Sequence, residues 1–97
     1  MNKDLHIAEI PYEDGNIKFR FTRYLSDDGA RWIRHGKFVT YHSNGNVASE
    51  GDYENDSETG LWRDYHENGV LAAQGTYVNG VESDDWEYWD THGNKET

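Results

Sequence analysis

The sequence contains no cysteine, which excludes a disulfide framework, a thiolate metal site and a thiol nucleophile. No apolar run approaches the roughly 18 residues of a membrane span. The opening Met1-Asn2-Lys3-Asp4, followed by Leu5-His6-Ile7, lacks the apolar core of a secretory signal. A soluble cytoplasmic protein is therefore expected. No amphipathic helix of useful length can be read. Neither a Gly-x-Ser-x-Gly elbow nor a phosphate-cradling Gly-x-x-x-x-Gly-Lys loop occurs. The single proline, Pro11, falls in the first strand region, where it suits a sheet edge. Hydrophobic residues make up only 34% of 97 residues, too few for a thick two-layer core.

What the chain does have is aromatic area and acid. Four Trp, seven Tyr and three Phe make it too aromatic for a disordered acidic tail. The net charge is −10, and it is unevenly spread. Residues 1–24 carry four bases and four acids, and residues 25–48 three bases and two acids. Residues 49–97 carry two bases and thirteen acids, so the whole excess lies in the C-terminal half. That half repels nucleic acid and anionic lipid and attracts basic protein surfaces.

The chain also repeats itself with a period of 24. Gly36 matches Gly60, Phe38 matches Trp62, Tyr41 matches Tyr65, His42 matches His66, and Asn44-Gly45 matches Asn68-Gly69. Gly51-Asp52-Tyr53 matches Gly75-Thr76-Tyr77. A third copy starts at Asp84, with Trp86 and Trp89 in the aromatic slots and His92-Gly93 in the turn slot. A degraded N-terminal copy turns at Asp14-Gly15, carries Tyr24 as its second-strand aromatic, and has about three extra residues around Asp27-Asp28-Gly29. The chain thus divides, within one domain over 1–97, into a degenerate repeat at 1–30 and repeats at 31–59, 60–83 and 84–97, the last truncated. Such units stack because none can bury its faces alone.

Each unit reads as a β-hairpin. Asn-Gly between apolar-containing runs signals a two-residue type I′ turn, in which both central residues need φ > 0. Counting outward from Asn68-Gly69 puts Tyr65 across from Ala72 and Trp62 across from Gly75. The preceding unit puts Tyr41 across from Ala48 and Phe38 across from Gly51. Large rings are therefore expected over small residues on both faces, Phe38 over Gly51 and Trp62 over Gly75 among them. The expected fold is all-β, a single-layer, twisted antiparallel meander of about seven strands.

The pattern Gly-x-Trp-x-x-Tyr-x-x-Asn-Gly-x-Leu-x-x-x-Gly-x-Tyr, read at Gly60, Trp62, Tyr65, Asn68, Gly69, Leu71, Gly75 and Tyr77, resembles the MORN-repeat variant of bacterial proteins. The resemblance covers about residues 31–94. It implies the repeat fold and, because members are often described as antitoxin or immunity components, a role of that kind. The sequence departs from the pattern at Asp56, where Gly80 stands one unit later, and at Asp84, where the opening glycine is missing.

Five histidines raise the question of a metal. His42 and His66 are one unit apart, so their strands stand roughly 9–10 Å apart. Ligands of one zinc sit about 2.0–2.1 Å from it, so the two are read as packing residues. The acidic stretch from Asp52 to Glu58 lacks the central glycine of a calcium loop and reads as a solvated connection. No cofactor is expected. The bases Lys18, Arg20, Arg23, Arg31, Arg34 and Lys37 interleave with Phe19, Phe21, Tyr24 and Trp32, which is a pattern that can bind single strands. The local net charge near zero argues instead for pairing with acids nearby or on a second copy. Neither direct nucleic-acid binding nor membrane binding is expected, and no enzymatic activity.

What remains is a binding module. The leading expectation is a non-catalytic inhibitor whose acidic, aromatic sheet mimics nucleic acid and occludes a basic partner. Such a partner is a nuclease, a toxin or a CRISPR effector, in the manner of antitoxins or anti-CRISPR proteins. The contact residues expected are Asp52, Glu54, Asp56, Glu58, Glu82, Asp84, Asp85, Glu87 and Asp90, with Tyr53, Tyr77, Trp86 and Trp89 as aromatic anchors. The competing expectation is a scaffold or oligomerisation module, with a homodimer through the aromatic edge strand at 86–89.

Overall fold

The computed structural model describes residues 4–96; residues 1–3 of the first repeat and Thr97 of the last lie outside them. The described chain is all β: β1 (His6–Pro11), β2 (Ile17–Leu25), β3 (Trp32–Tyr41), β4 (Val47–Glu54), β5 (Ser57–Tyr65), β6 (Leu71–Val78), β7 (Val81–Glu82), β8 (Glu87–Trp89) and β9 (Lys95–Glu96). All nine join one antiparallel sheet, in which β1 to β6 follow chain order and β6 then pairs with both β7 and β8. β7 and β8 lie one period after β5 and together form its broken copy, which makes seven main strands. The expected single-layer meander is the fold.

The plate measures 48 × 36 × 17 Å. Its radius of gyration of 15.1 Å exceeds the roughly 12–13 Å of a compact chain of this length. With one layer, little can be buried: among the described residues the apolar core is Ala8, Tyr24, Ile33, Trp62 and Ala73. Stability comes from cross-strand and ring-to-ring contacts rather than from an enclosed core.

The turns correct the sequence reading in an instructive way. At Asn44-Gly45 and Asn68-Gly69 the loop holds three residues, not two. His66 N–H donates to Val70 O at 2.9 Å, and Gly69 N–H donates to His66 O at 2.9 Å. Only the glycines have positive φ, 92° at Gly45 and 90° at Gly69. The asparagine before each glycine stays in the ordinary region because its Oδ1 accepts the N–H two residues on, at 3.0 Å in both units. Tyr41 therefore pairs with Val47 and Tyr65 with Leu71, not with Ala48 and Ala72. A bulge then follows in each hairpin and restores the register, so Phe38 still faces Gly51 and Trp62 still faces Gly75. The true two-residue turns with φ > 0 at both positions join the hairpins, at Asn55-Asp56 (φ 50° and 72°) and Asn79-Gly80 (φ 51° and 81°).

The rings also sit one strand away from where the pairing suggests. A Cβ on Gly51 would lie 2.1 Å from Trp62, and one on Gly75 would lie 2.3 Å from Trp86. Trp62 thus covers Gly51 rather than its register partner Gly75. The cause is Gly60 (φ 71°): β5 carries extra residues between Thr59 and Arg63, opposite Gly51, and the tryptophan leans back across β4. Trp62 Nε1 donates to Asp52 O at 3.1 Å, and Trp86 Nε1 donates to Thr76 O at 3.1 Å, the same bond 24 residues on. In the third unit Asp84 stands where Gly60 stood, and the strand breaks there into β7 and β8. Asp85 fills the gap by accepting from Thr76 N–H at 3.1 Å and Thr76 Oγ1–H at 2.9 Å.

Candidate functional site

Register partners project to the same face of a sheet, so the two faces can be told apart. One face carries a continuous row of rings. Phe19 and Phe21 contact Phe38 (6.1 and 5.2 Å between centroids), Phe38 contacts Tyr53 (5.0 Å), and Tyr53 contacts Trp62 (5.5 Å). Trp62 then contacts Tyr77 (5.8 Å), and Tyr77 contacts Trp86 (5.4 Å). Most of these pairs meet edge to face, the geometry favoured by ring quadrupoles. The other face carries a polar row in register: Glu9, Arg20, Val39, Glu50, Arg63, Gln74 and Glu87.

Charge is handled differently on the two faces. On the polar face Arg20 Nε stands 3.5 Å from Glu9, Arg63 stands opposite Glu50, and Lys95 pairs with Glu87. Tyr65 donates its hydroxyl to Glu50 Oε1 at 3.0 Å. On the ring face the N-terminal end is basic, and its cations lie against rings or an acid, with Arg23 Nε buried and without a hydrogen-bond partner among the described residues. Arg23 stacks on Trp32 at 4.3 Å, and Arg34 lies 4.5 Å from the Tyr53 centroid. Arg31 and Arg34 both reach Asp56, at 2.9 and 3.4 Å. Burial alone would raise the Asp56 pKa, but the Arg34 backbone N–H at 2.8 Å and the two guanidinium groups outweigh it and hold the carboxyl below its usual range.

The C-terminal end of the ring face is acidic, and no cation among the described residues pairs with it. Glu58 faces Tyr53, Glu82 faces Tyr77, and Asp64 stands on the same face between Ser49 and Ala73. Tyr77 donates to Glu82 Oε1 at 3.3 Å. Burial, then the charges of Glu82 and Glu58, that hydrogen bond, and the charge of Asp64 push the Tyr77 phenol up to about 12. Burial and the charge of Glu82 raise Asp64 as well. At Tyr53, burial raises the phenol while Arg34 opposes it.

The expected contact residues do not form one patch. Tyr53, Tyr77, Trp86, Glu58 and Glu82 share the ring face. Asp52 stands opposite Lys37, and Glu87 belongs to the polar face, as does Trp89 two residues along the same strand. Glu54 pairs with Ser57 beside the turn, and Asp56 is held by Arg31 and Arg34. Asp84 and Asp85 lie exposed in the break, where Asp85 caps Thr76. Asp90 closes the last loop by accepting from His92 and Asn94 N–H at 2.9 Å each. Asp64 is the ring-face acid that reading by loops missed. Comparing slots across the period points to the same neighbourhood, because Arg34, Glu58 and Glu82 occupy one slot in three successive units.

His42 and His66 each have a packing task. Their Nε2–H groups donate to Tyr65 O at 2.7 Å and Trp89 O at 2.8 Å, tying each loop to the next hairpin. No group of three or more metal-ligating side chains gathers among the described residues, and no helix there is long and apolar enough to cross a membrane. A hollow of about 340 Å³ lined by Ile7, Arg20, Phe21, Thr22, Lys37, Val39 and Tyr41 carries two cations but no nucleophile with a base beside it.

Comparison with known proteins agrees with the repeat. No curated protein and no solved structure matches the chain. The family description that does match is the MORN repeat variant, in two segments 24 residues apart. They cover a little under half of the chain, within the 31–94 over which the resemblance runs. The MORN repeat is in general a non-catalytic repeat module. Residues 34–55 and 58–79 are each similar to the MORN repeat variant.

Proposed function

We propose that this protein is a non-catalytic, cytoplasmic inhibitor that covers a basic surface of a nucleic-acid-handling partner protein, using the C-terminal half of its ring face. One observation carries the reading: Glu58, Asp64 and Glu82 gather around Tyr77 and no cation among the described residues pairs with them, whereas Asp56 is held by Arg31 and Arg34 and Glu87 by Lys95. Like charges held together raise the energy of the free protein, and a partner's cations relieve it. The neighbouring rings of Trp62, Tyr77 and Trp86 supply rigid apolar contact at small entropic cost. Antitoxin and immunity roles are of this kind, and so is the occlusion of a nuclease or CRISPR effector.

The test begins with capture from the native host's extract and continues with the purified partner. Stoichiometric protein is expected to block the partner's binding to nucleic acid. Raising salt to physiological strength shortens the Debye length to about 8 Å and is expected to slow association severalfold. The triple variant Glu58→Gln, Asp64→Asn, Glu82→Gln is expected to weaken binding about tenfold or more, and Glu50→Gln with Glu87→Gln less than about twofold. Insensitivity to salt and to the triple variant would leave the acids as a solubilising surface.

A second reading, a scaffold or homodimer through the C-terminal edge, draws support from β9. Among the described residues it pairs only with Tyr88 and Trp89 of β8. Under this reading light scattering gives a dimer whose stability is indifferent to the triple variant, and a monomer at high concentration removes it.

A further inference from the structure

Tyr53 and Tyr77 occupy one slot of the repeat, but only the first is filled. At Tyr53 the Arg34 guanidinium lies 4.5 Å from the ring centroid, with Nη1 3.4 Å from the hydroxyl and Nε 3.4 Å from Asp56 Oδ1. The backbone fixes the correspondence. Asp56 N–H donates to Arg34 O at 2.8 Å, and 24 residues later Gly80 N–H donates to Glu58 O at 3.0 Å. Glu58 therefore stands where Arg34 stood, and Gly80 where Asp56 stood. A Cβ on Gly80 would lie 3.8 Å from Glu58 Oε1, so the Glu58 side chain runs over the turn as Arg34 does one unit earlier. On the other side of Tyr77, Glu82 accepts the phenolic hydrogen.

We propose that Tyr77, Glu58 and Glu82 form a receptor for an arginine side chain presented by the partner protein. The proposal rests on the acidic-face reading above and names the group that face recognises. The chain's own first unit supplies the pattern, a guanidinium laid against the tyrosine and bonded to a carboxylate. In the second unit the tyrosine is kept, the cation is replaced by a carboxylate, and the acid that paired with it is replaced by glycine, over which the Glu58 carboxylate lies. A planar guanidinium can stack on the ring while its in-plane N–H groups reach both flanking carboxylates. A lysine ammonium meets the same charges without the stacking, so arginine is preferred over lysine.

The experiment titrates the full chain, isotopically labelled at tyrosine, with hexa-arginine and hexalysine peptides at one low salt concentration. Hexa-arginine is expected to bind about three- to fivefold more tightly, the factor that stacking on a half-exposed ring supplies. The Tyr77 ring resonances are expected to move and those of Tyr53 to stay. Glu58→Arg supplies the cation from within the chain, as Arg34 does for Tyr53, and is expected to abolish the Tyr77 response. Glu67→Arg makes the same change of net charge in a loop on the opposite rim and is expected to keep hexa-arginine affinity within about twofold. Should Glu58→Arg fail to fold, the isosteric Glu58→Gln serves, with a reduced preference for arginine expected. Equal affinity for the two peptides, or equal loss in Glu58→Arg and Glu67→Arg, overturns the arginine receptor and leaves general acidic docking standing. So does a response at Tyr53 in place of Tyr77. If neither peptide moves Tyr77, the receptor is also wrong, and acidic docking then stands or falls on the partner's salt dependence.

Discussion

Tyr53 and Tyr77 share a strand position, a neighbouring tryptophan and a backbone bond pattern, but their charged surroundings differ, mixed at Tyr53 and acidic throughout at Tyr77. Tyr53 lies between Arg34 and Glu58, whereas Tyr77 lies between Glu58 and Glu82. The repeat constrains the rings, the covered glycines, and the asparagines and histidines that tie loop to loop. It does not constrain the slot of Arg34, Glu58 and Glu82, whose backbone bonds form whatever the side chain. Charge can vary in that slot without disturbing the fold, and there the two halves of the molecule diverge.

The largest effect that would break the comparison lies in the ring row. Gly51→Ala drives a methyl into the buried Trp62 ring and is expected to cost about 2–3 kcal/mol. Gly75→Ala meets Trp86, which is half-buried beside a broken strand and can shift, so about 1–2 kcal/mol is expected. Urea unfolding of both variants measures the difference. Equal costs would mean that the third unit holds its tryptophan as firmly as the second, against the broken pairing of β8. Trp62 fluorescence in Gly75→Ala is a further check, since it changes little if Trp86 is the ring displaced.

Next in size is the turn at Asn55-Asp56. Asp56 adopts φ 72°, a conformation that L side chains resist, and is held there by Arg31 and Arg34. Asp56→Ala keeps the backbone strain and loses the ion pairs, and a loss of about 1–1.5 kcal/mol is expected. Asp56→Gly makes the turn like Asn79-Gly80. It relieves the strain while losing the same pairs, so stability is expected to stay within about 0.5 kcal/mol of the parent. If the alanine and glycine variants unfold at the same urea concentration, the positive φ at Asp56 carries no cost and the pairs carry all of it.

The period of 24, the hairpins and the Phe38–Gly51 and Trp62–Gly75 register are legible in the sequence because they rest on a pattern repeated in full. The loop type is not, because Asn-Gly serves two geometries. In one the asparagine enters positive φ, as Asn79 does; in the other, as at Asn44 and Asn68, its side chain accepts the N–H beyond the glycine. The seating of Trp62 over Gly51 depends on the kink at Gly60, which shows in the sequence only as a conserved slot within the chain's own repeat. The candidate site is half legible. Its acids and rings can be named from the sequence, but which of them share a face depends on bulges that shift side-chain parity. Trp86 and Trp89 are three residues apart and end on opposite faces.

The field difference between the two tyrosines is open to titration. With a folded-state phenol near 12 against about 10 when unfolded, Tyr77 contributes stability that is fully present below pH 10 and lost as pH rises through 12. Absorbance titration near 295 nm is expected to show a late-ionising phenol that moves down in Glu58→Gln and in Glu82→Gln. Burial, the larger cause, remains in both variants, so the phenol is expected to stay above its ordinary value. Arg34→Gln is expected to act oppositely and raise Tyr53, because it removes the one cation that offsets burial there. A single unshifted tyrosine transition in all four proteins would remove the electrostatic contrast.

The smallest expected effect bears on why the acids are there. Asp64 occupies the slot of Thr40, whose hydroxyl hydrogen-bonds Ser49 at 2.7 Å. Asp64 has a raised pKa, through burial and then the charge of Glu82. For a carboxyl shifted upward, the linked stability is present below the unfolded value near 3.9 and lost as pH rises through the folded one. At pH 7 the parent protein lacks that contribution, and Asp64→Asn, which cannot ionise, keeps it. Asp64 is partly exposed and solvent screens most of the effect, so the variant is expected to gain a little stability at pH 7, and nothing near pH 3.5. The same substitution is expected to weaken capture of a basic partner. A gain in stability joined to a loss of binding is what separates a functional acid from a solubilising one, since a residue present only for solubility would leave binding unchanged. If Asp64→Asn is neutral at both pH values and binds as before, the charge at this slot contributes nothing, and the contrast between the two units rests on Glu58 and Glu82 alone.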